Sequence, residues 1–221
     1  MNEKTKKVII KHFCLDGINT TNQMVCFPEQ KPNSLLVLEV FDNLVVYCNK
    51  EMYEDIKKFN NLQEITNHLK NRFSSIEEHI YYFFDSSTKI NRRYKRNVVI
   101  KKLSKNDLSA LDSLEKACTY DDLDSAYITI DDFEPYGIFQ DQELMAITSL
   151  IKVDEMYDLG IITRGDCRNK GYGKSLLYQY LKEHQDKIIR LIVSSKNISM
   201  INLCKSIGLE NHARLIEIKY H

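Results

Sequence analysis

The sequence has no excess of either charge: 31 lysines and arginines balance 31 aspartates and glutamates. Neither half is strongly biased, so a broad nucleic-acid or anionic-membrane surface is not expected. No apolar run approaches the ~18 residues that a spanning helix needs. The stretch Met1 to Lys7 is polar and lysine-rich and leads only into Val8 to Ile10, too short for the core of a signal peptide, so the expected location is cytoplasmic. The six cysteines, at 14, 26, 48, 118, 167 and 204, form no C-x-x-C pair and have no histidine at zinc-finger spacing. Reduced thiols and no metal site are expected. Glycine is scarce in the first half: six of the seven lie between Gly137 and Gly208, which concentrates tight turns and close backbone approaches there.

What is present fits a globular chain, with 43% hydrophobic and 28% charged residues and a length sufficient for two small domains. The polar, basic stretch Ser86 to Arg96 separates two patterned regions and reads as a linker. This gives an N-terminal α+β domain over 1–90 and a second domain over 97–221. In the first, Leu35 to Phe41 and Leu44 to Cys48 are apolar, β-branched runs split by Asp42-Asn43, a hairpin pattern. Helical periodicity follows over Glu51 to Phe73, interrupted at Asn60-Asn61, and Ile76 to Phe84 reads as another short helix. His12, His68 and His79 share no metal-ligand spacing and read as structural or surface residues.

The second region alternates strands and helices. Val98 to Ile100 is a strand, and Ser104 with Asp107 is a capping-box variant opening a helix through Cys118. Tyr136 to Phe139 and Leu144 to Val153 flank the turn Gln140 to Glu143. Strand Leu159 to Thr163, helix Tyr172 to Glu183, strand Ile188 to Val193, helix Ser199 to Ile207 and strand Leu215 to Tyr220 follow.

The most informative stretch joins the strand at Leu159 to the helix at Tyr172. A helix N-terminus offers backbone N–H groups and partial positive charge to an anion, and Arg168, Lys170 and Lys174 add charge beside it. Gly171 and Gly173 let the backbone approach phosphate oxygens; the plainer alternative is that glycine there serves close packing. Gly173-Lys174-Ser175 imitates the end of a P-loop, but the first glycine of that motif would fall on Arg168. A dinucleotide fingerprint fails as well, because its third glycine would fall on Leu176. The remaining pattern is R-x-x-G-x-G, filled by Arg168-Asn169-Lys170-Gly171-Tyr172-Gly173.

This loop resembles the acyl-coenzyme A loop of the GCN5-related N-acetyltransferase (GNAT) family. Asn197 before the next helix, Gly208-Leu209 at its end and the hairpin from Tyr136 to Ala146 extend the resemblance over about 97–221. It implies an α/β (α+β) fold with a mixed, mostly antiparallel sheet whose parallel central strands splay apart, beside the smaller N-terminal α+β domain. It further implies that acetyl-CoA, without a metal, is held by Ile161, Ile162 and Thr163 on the strand, by Arg168, Asn169, Lys170, Gly171, Tyr172, Gly173, Lys174 and Ser175 in the loop and helix start, and by Asn197. The Ile161 N–H is then the candidate for polarising the thioester carbonyl. Glu143, Glu155, Tyr157 and Asp158 are candidate acid–base groups by strand position. The family often has a tyrosine seven residues after the Asn197 equivalent, as acid for the leaving thiolate; this chain has Cys204 there. The catalytic candidates are therefore Cys204, Tyr157 and Asp158. The acidic stretches Asp121 to Asp124 and Asp131 to Glu134 fall where the family's acceptor loop lies. The function implied is N-acetyl transfer to a primary amine, on a small molecule or a peptide, with no nucleic-acid or membrane partner and a homodimer as one role for the N-terminal domain. The alternative is a non-catalytic acyl-CoA sensor or interaction module.

Overall fold

The computed structural model describes residues 1–13, 15, 24–28, 34–41, 43–59, 61–91, 97–126, 128 and 133–220. In chain order the elements are α1 (Glu3–His12), β1 (Met24–Pro28), β2 (Ser34–Val40), β3 (Asn43–Cys48), α2 (Lys50–Ile56), α3 (Leu62–Leu69), β4 (Phe73–Phe84) and β5 (Val99–Lys102). They continue with α4 (Leu108–Lys116), α5 (Tyr120–Ala126), β6 (Phe133–Gln140), β7 (Glu143–Val153), β8 (Met156–Thr163), α6 (Tyr172–Glu183), β9 (Ile189–Ser194), α7 (Ile198–Ile207) and β10 (Asn211–Tyr220).

These elements form two compact units built from interleaved segments. One comprises Met1–His12, Phe83–Leu191 and Asn202–Glu210; the other comprises Phe13–Tyr82, Ile192–Ile201 and Asn211–His221. This differs from a single division near residue 90. The reason for the second unit's makeup is β10, which pairs antiparallel with β2 on one side and β4 on the other. The expected helix over Ile76 to Phe84 is instead part of β4. Its pairing decides this: Ile76, Glu78 and Ile80 stand opposite Ile218, Ile216 and Arg214 of β10.

In this second unit, the expected β2–β3 hairpin forms, with Leu36 opposite Tyr47 and Val40 opposite Asn43; Asp42 lies outside the described residues. The interruption in the following helix is real: Asn61 caps α3 by accepting from the Glu64 N–H at 2.9 Å. The core gathers Leu35, Val37, Val46, Ile56, Ile65, Ile216 and Ile218, all buried.

In the first unit, β5, β6, β7 and β8 pair antiparallel in sequence order, and β8 pairs parallel with β9. The architecture is therefore mixed α/β with mostly antiparallel strands, as expected. Asp141 and Gln142, both at positive φ, make the two-residue β6–β7 turn, whose twist matches that of the strands. The Ser104–Asp107 capping box is present, opening a 3-10 turn that runs into α4. Helix α6 packs over β6, β7 and β8, while α4 lies against β7 and α5 against β8. Ile162 is buried with Leu111 and Leu114 of α4.

Candidate active site

The ladder between β8 and β9 is short. It has two rungs, Tyr157↔Ile189 and Asp158↔Arg190, after which β8 continues to Thr163 without further pairing to β9. The Tyr157 N–H donates to Ile188 O at 2.9 Å, so Tyr157 directs its backbone toward that edge. With a period of two, the backbone groups of Leu159, Ile161 and Thr163 point to the same edge. An extended chain with amide groups would find a strand edge there to pair with.

At the end of β8, Arg164 turns the chain, donating its N–H to Met145 O at 3.0 Å. Asn169 at φ 60° and Gly171 at φ 86° both adopt the left-handed conformation, a backbone form that recurs in anion-binding loops. Gly171 is the N-cap of α6 and has no side chain to cap the first turn. A Cβ at Gly171 would have nothing within 4 Å, so glycine serves the backbone conformation there. At Gly173 the reason is different. A Cβ would lie 3.0 Å from Thr163 Oγ1 and 3.7 Å from Ile161 Cδ1, so glycine lets α6 approach β8 closely. The packing alternative thus holds for one glycine of the pair.

The basic residues divide similarly. Arg168 and Lys170 are exposed on the loop. Arg168 Nη2 pairs with Asp122 Oδ2 at 2.5 Å, and its Nε lies 3.5 Å from Thr163 O. Burial raises the Asp122 carboxyl, but the Thr119 hydroxyl and amide and the Arg168 guanidinium outweigh this and hold it below the usual range. Asp122 therefore caps α5 and holds Arg168; the acidic stretch from Asp121 is helical. Asp131 and Asp132 lie outside the described residues. Lys174 turns away from the loop and donates to Ser206 O at 2.8 Å, a cation at the C-terminal end of α7. Arg164, which no motif in the sequence marks, spans Asp166 and Glu143 with its guanidinium.

Of the other expected site residues, Tyr172 is buried with Ile138, Met145 and Leu176 and donates its hydroxyl to Gln140 Oε1 at 2.6 Å. Ile162 faces α4 in the core, and Ser175 is buried in α6. These three can contribute to a ligand only through the backbone. Asn197, taken in the second unit by itself, spends its side chain on the first turn of α7, accepting from the Met200 N–H at 3.0 Å. Cys204 is fully buried, and burial pushes its thiol up to about 12. That placement makes it a packing residue, closed to a departing thiolate. The carboxylates each meet a cation: Glu143 meets Arg164, Glu155 meets Lys11, and both oxygens of Asp158 meet Arg190. The Tyr157 ring lies under Lys187 Nζ, 5.9 Å from its centroid.

Residues 106–209 match the family model described as the acetyltransferase (GNAT) family. Over this segment, just under half of its length, the chain matches the GNAT family. Among solved structures, a GNAT-family acetyltransferase from Colwellia psychrerythraea superposes with a TM-score of 0.54 at 17% identity. That match covers 73% of this chain and 63% of the other, so the chain spans less than two thirds of that relative. A functionally unknown conserved protein from Staphylococcus epidermidis gives a TM-score of 0.54 at 14% identity, over 72% and 67% of the two chains. A GCN5-related N-acetyltransferase from Sphaerobacter thermophilus gives 0.52 at 8%, over 73% and 57%. At such identities the likeness is one of fold. No curated protein matches the chain. Among the described residues, no group of three or more His, Cys, Asp or Glu side chains is placed to hold a metal. No helix there is long and apolar enough to cross a membrane.

Proposed function

We propose that this GNAT domain transfers an acetyl group from acetyl-CoA to a primary amine of a small molecule or peptide. The observation that carries the reading is the β8 edge, which loses its strand partner after Asp158 and runs directly into an uncapped helix start with two left-handed residues. The residues present fit such a ligand. Ile161 and Thr163 offer an amide edge to the pantetheine arm, and the N–H groups from Asn169 to Lys174 an anion seat for the pyrophosphate. Acetyl-CoA supplies the activated acyl group. The chain's residues bind and orient it: the Ile161 N–H serves as the donor to the developing oxyanion, and Arg168, steadied by Asp122, neutralises charge at the loop. Since every carboxylate proposed as a base is engaged by a cation, orientation supplies the larger share of the catalysis. Placing two reactants together contributes about 7–11 kcal/mol in favourable analogues.

A second reading, binding without transfer, draws on Cys204: the position where the family often has an acid holds a buried thiol. Calorimetry with acetyl-CoA on the wild type and on Gly171→Glu, followed by a thiol-release assay across a panel of amines, tests both. Binding lost in the variant together with acetyl-dependent thiol release supports transfer. Binding without release for any amine supports the sensor. No binding by the wild type removes both readings.

A further inference from the structure

Arg190 is 6% exposed and stands in β9 between Ile189 and Leu191, themselves buried. A guanidinium so placed needs its N–H groups answered. Asp158 answers two: Nε meets Oδ1 at 2.7 Å and Nη2 meets Oδ2 at 2.8 Å, a bidentate fork. The third nitrogen, Nη1, lies 2.6 Å from Nε2 of His12, the terminal residue of α1. A guanidinium only donates, so His12 Nε2 must accept. The ring proton then resides on Nδ1, which faces Asp154 Oδ2 at 3.3 Å. The geometry thus imposes one neutral tautomer on His12. A second proton, on Nε2, would set N–H against N–H beside a cation and break the contact.

The location gives this contact its meaning. Asp158↔Arg190 is the final rung of the β8/β9 ladder, the point beyond which the β8 edge lies open. Asp158 shares its face of β8 with Ile162, the face that α4 covers. We propose that His12 is a positioning residue for acyl transfer, brought by α1 from outside the family segment: as a neutral imidazole it holds Arg190 on Asp158 and so fixes where the cofactor-binding edge begins. The role in transfer rests on the acetyltransferase reading; the hold on the rung does not. The charged and titratable groups around it are Lys11 on α1, Asp154 and Glu155 in the β7–β8 turn, Tyr157 and Asp158 on β8, Lys187 before β9, and Arg190 itself.

The test uses the full chain with His12→Gln, whose amide oxygen accepts from Arg190 without titrating, and His12→Ala. Without ligand, hydrogen-exchange protection at Tyr157 to Leu159 is expected to fall roughly tenfold in His12→Ala and to be kept in His12→Gln. Acetyl-CoA affinity, by calorimetry, is expected to weaken severalfold in His12→Ala and to be restored in His12→Gln. Full protection in His12→Ala overturns the proposal, as does a loss in His12→Gln equal to that in His12→Ala. If neither the wild type nor any variant binds acetyl-CoA, the acetyltransferase reading and the role in transfer both fall, while the exchange data still decide whether His12 holds the rung.

Discussion

At Gly171 the backbone turns through φ 86° in open space, whereas two residues on, a Cβ at Gly173 would press within 3.0 Å of the Thr163 hydroxyl. The same substitution should therefore fail for different reasons at the two sites. Gly171→Ala is expected to cost about 1–2 kcal/mol through left-handed strain alone, whatever its neighbours. Gly173→Ala is expected to cost about 1–3 kcal/mol through overpacking, and most of this should return when Thr163 is also changed to Ala. Urea unfolding of the three variants checks both, and a Gly173→Ala penalty unaltered by Thr163→Ala would refute the packing assignment. Cys204 gives another residue-scale prediction: with its thiol buried and raised to about 12, it should resist thiol reagents at mild alkaline pH until the protein unfolds. Mass-spectrometric mapping of labelled native protein would show Cys204 unmodified. At this scale the sequence reveals the loop, because glycine and basic residues at fixed spacing are local signals. It does not reveal which glycine serves conformation and which serves packing, since that depends on Thr163 across the gap between strand and helix.

The C-terminal end of α6 is fastened to β6 at an irregularity. The β6–β7 register shifts between Phe133 and Tyr136, and Glu134 there adopts φ 49°. Glu134 Oε2 reaches the buried His184 Nε2 at 2.6 Å, His184 Nδ1 donates to Tyr180 O at 2.8 Å, and the Tyr180 hydroxyl returns to Glu134 O at 3.0 Å. The hydrogen bond to His184 first, and Lys102 after it, hold the Glu134 carboxyl below its ordinary 4.5 against the opposing effect of burial. A depressed carboxyl contributes stability that is present above pH 4.5 and is lost as pH falls through the lower folded value. Glu134→Gln should thus be less stable than wild type near neutrality, with the gap narrowing in acid below 4.5; melting curves over that range test it. A gap that stayed constant with pH would reject the pair as the cause. α6 is legible in the sequence to the residue, and the β6–β7 hairpin to within one residue at its turn, although β6 begins three residues earlier than its pattern shows. β4 is not, because apolar Ile76, Ile80, Phe83 and Phe84 stand at the helical spacing i, i+4, i+7 and i+8, and only the pairing with β10 decides for a strand. Arg190 did carry a signal, since a charge inside the apolar run from Ile188 to Val193 demands a partner. The partner's identity, His12, lay too distant in sequence to be read.

The whole chain is two units whose segments alternate along the sequence, and no local pattern encodes such interleaving. Motifs can place the GNAT segment, but not the exchange by which β10 joins β2 and β4. Its buried Ile216 and Ile218 complete the core formed by Leu35, Val37, Ile56 and Ile65. Ile218→Asp, which sets a charge in that core, is expected to unfold the second unit outright, read as lost protection of β2 and β4 in hydrogen exchange. Retained protection there would show that β10 is dispensable to the unit. The position of β10 also sets a schedule for synthesis. A ribosome delivers β2 and β4 early and β10 only after the entire GNAT segment has emerged, so the nascent chain carries two unsatisfied strand edges through most of its translation. Those edges make the growing chain, more than the finished one, the form in need of a chaperone.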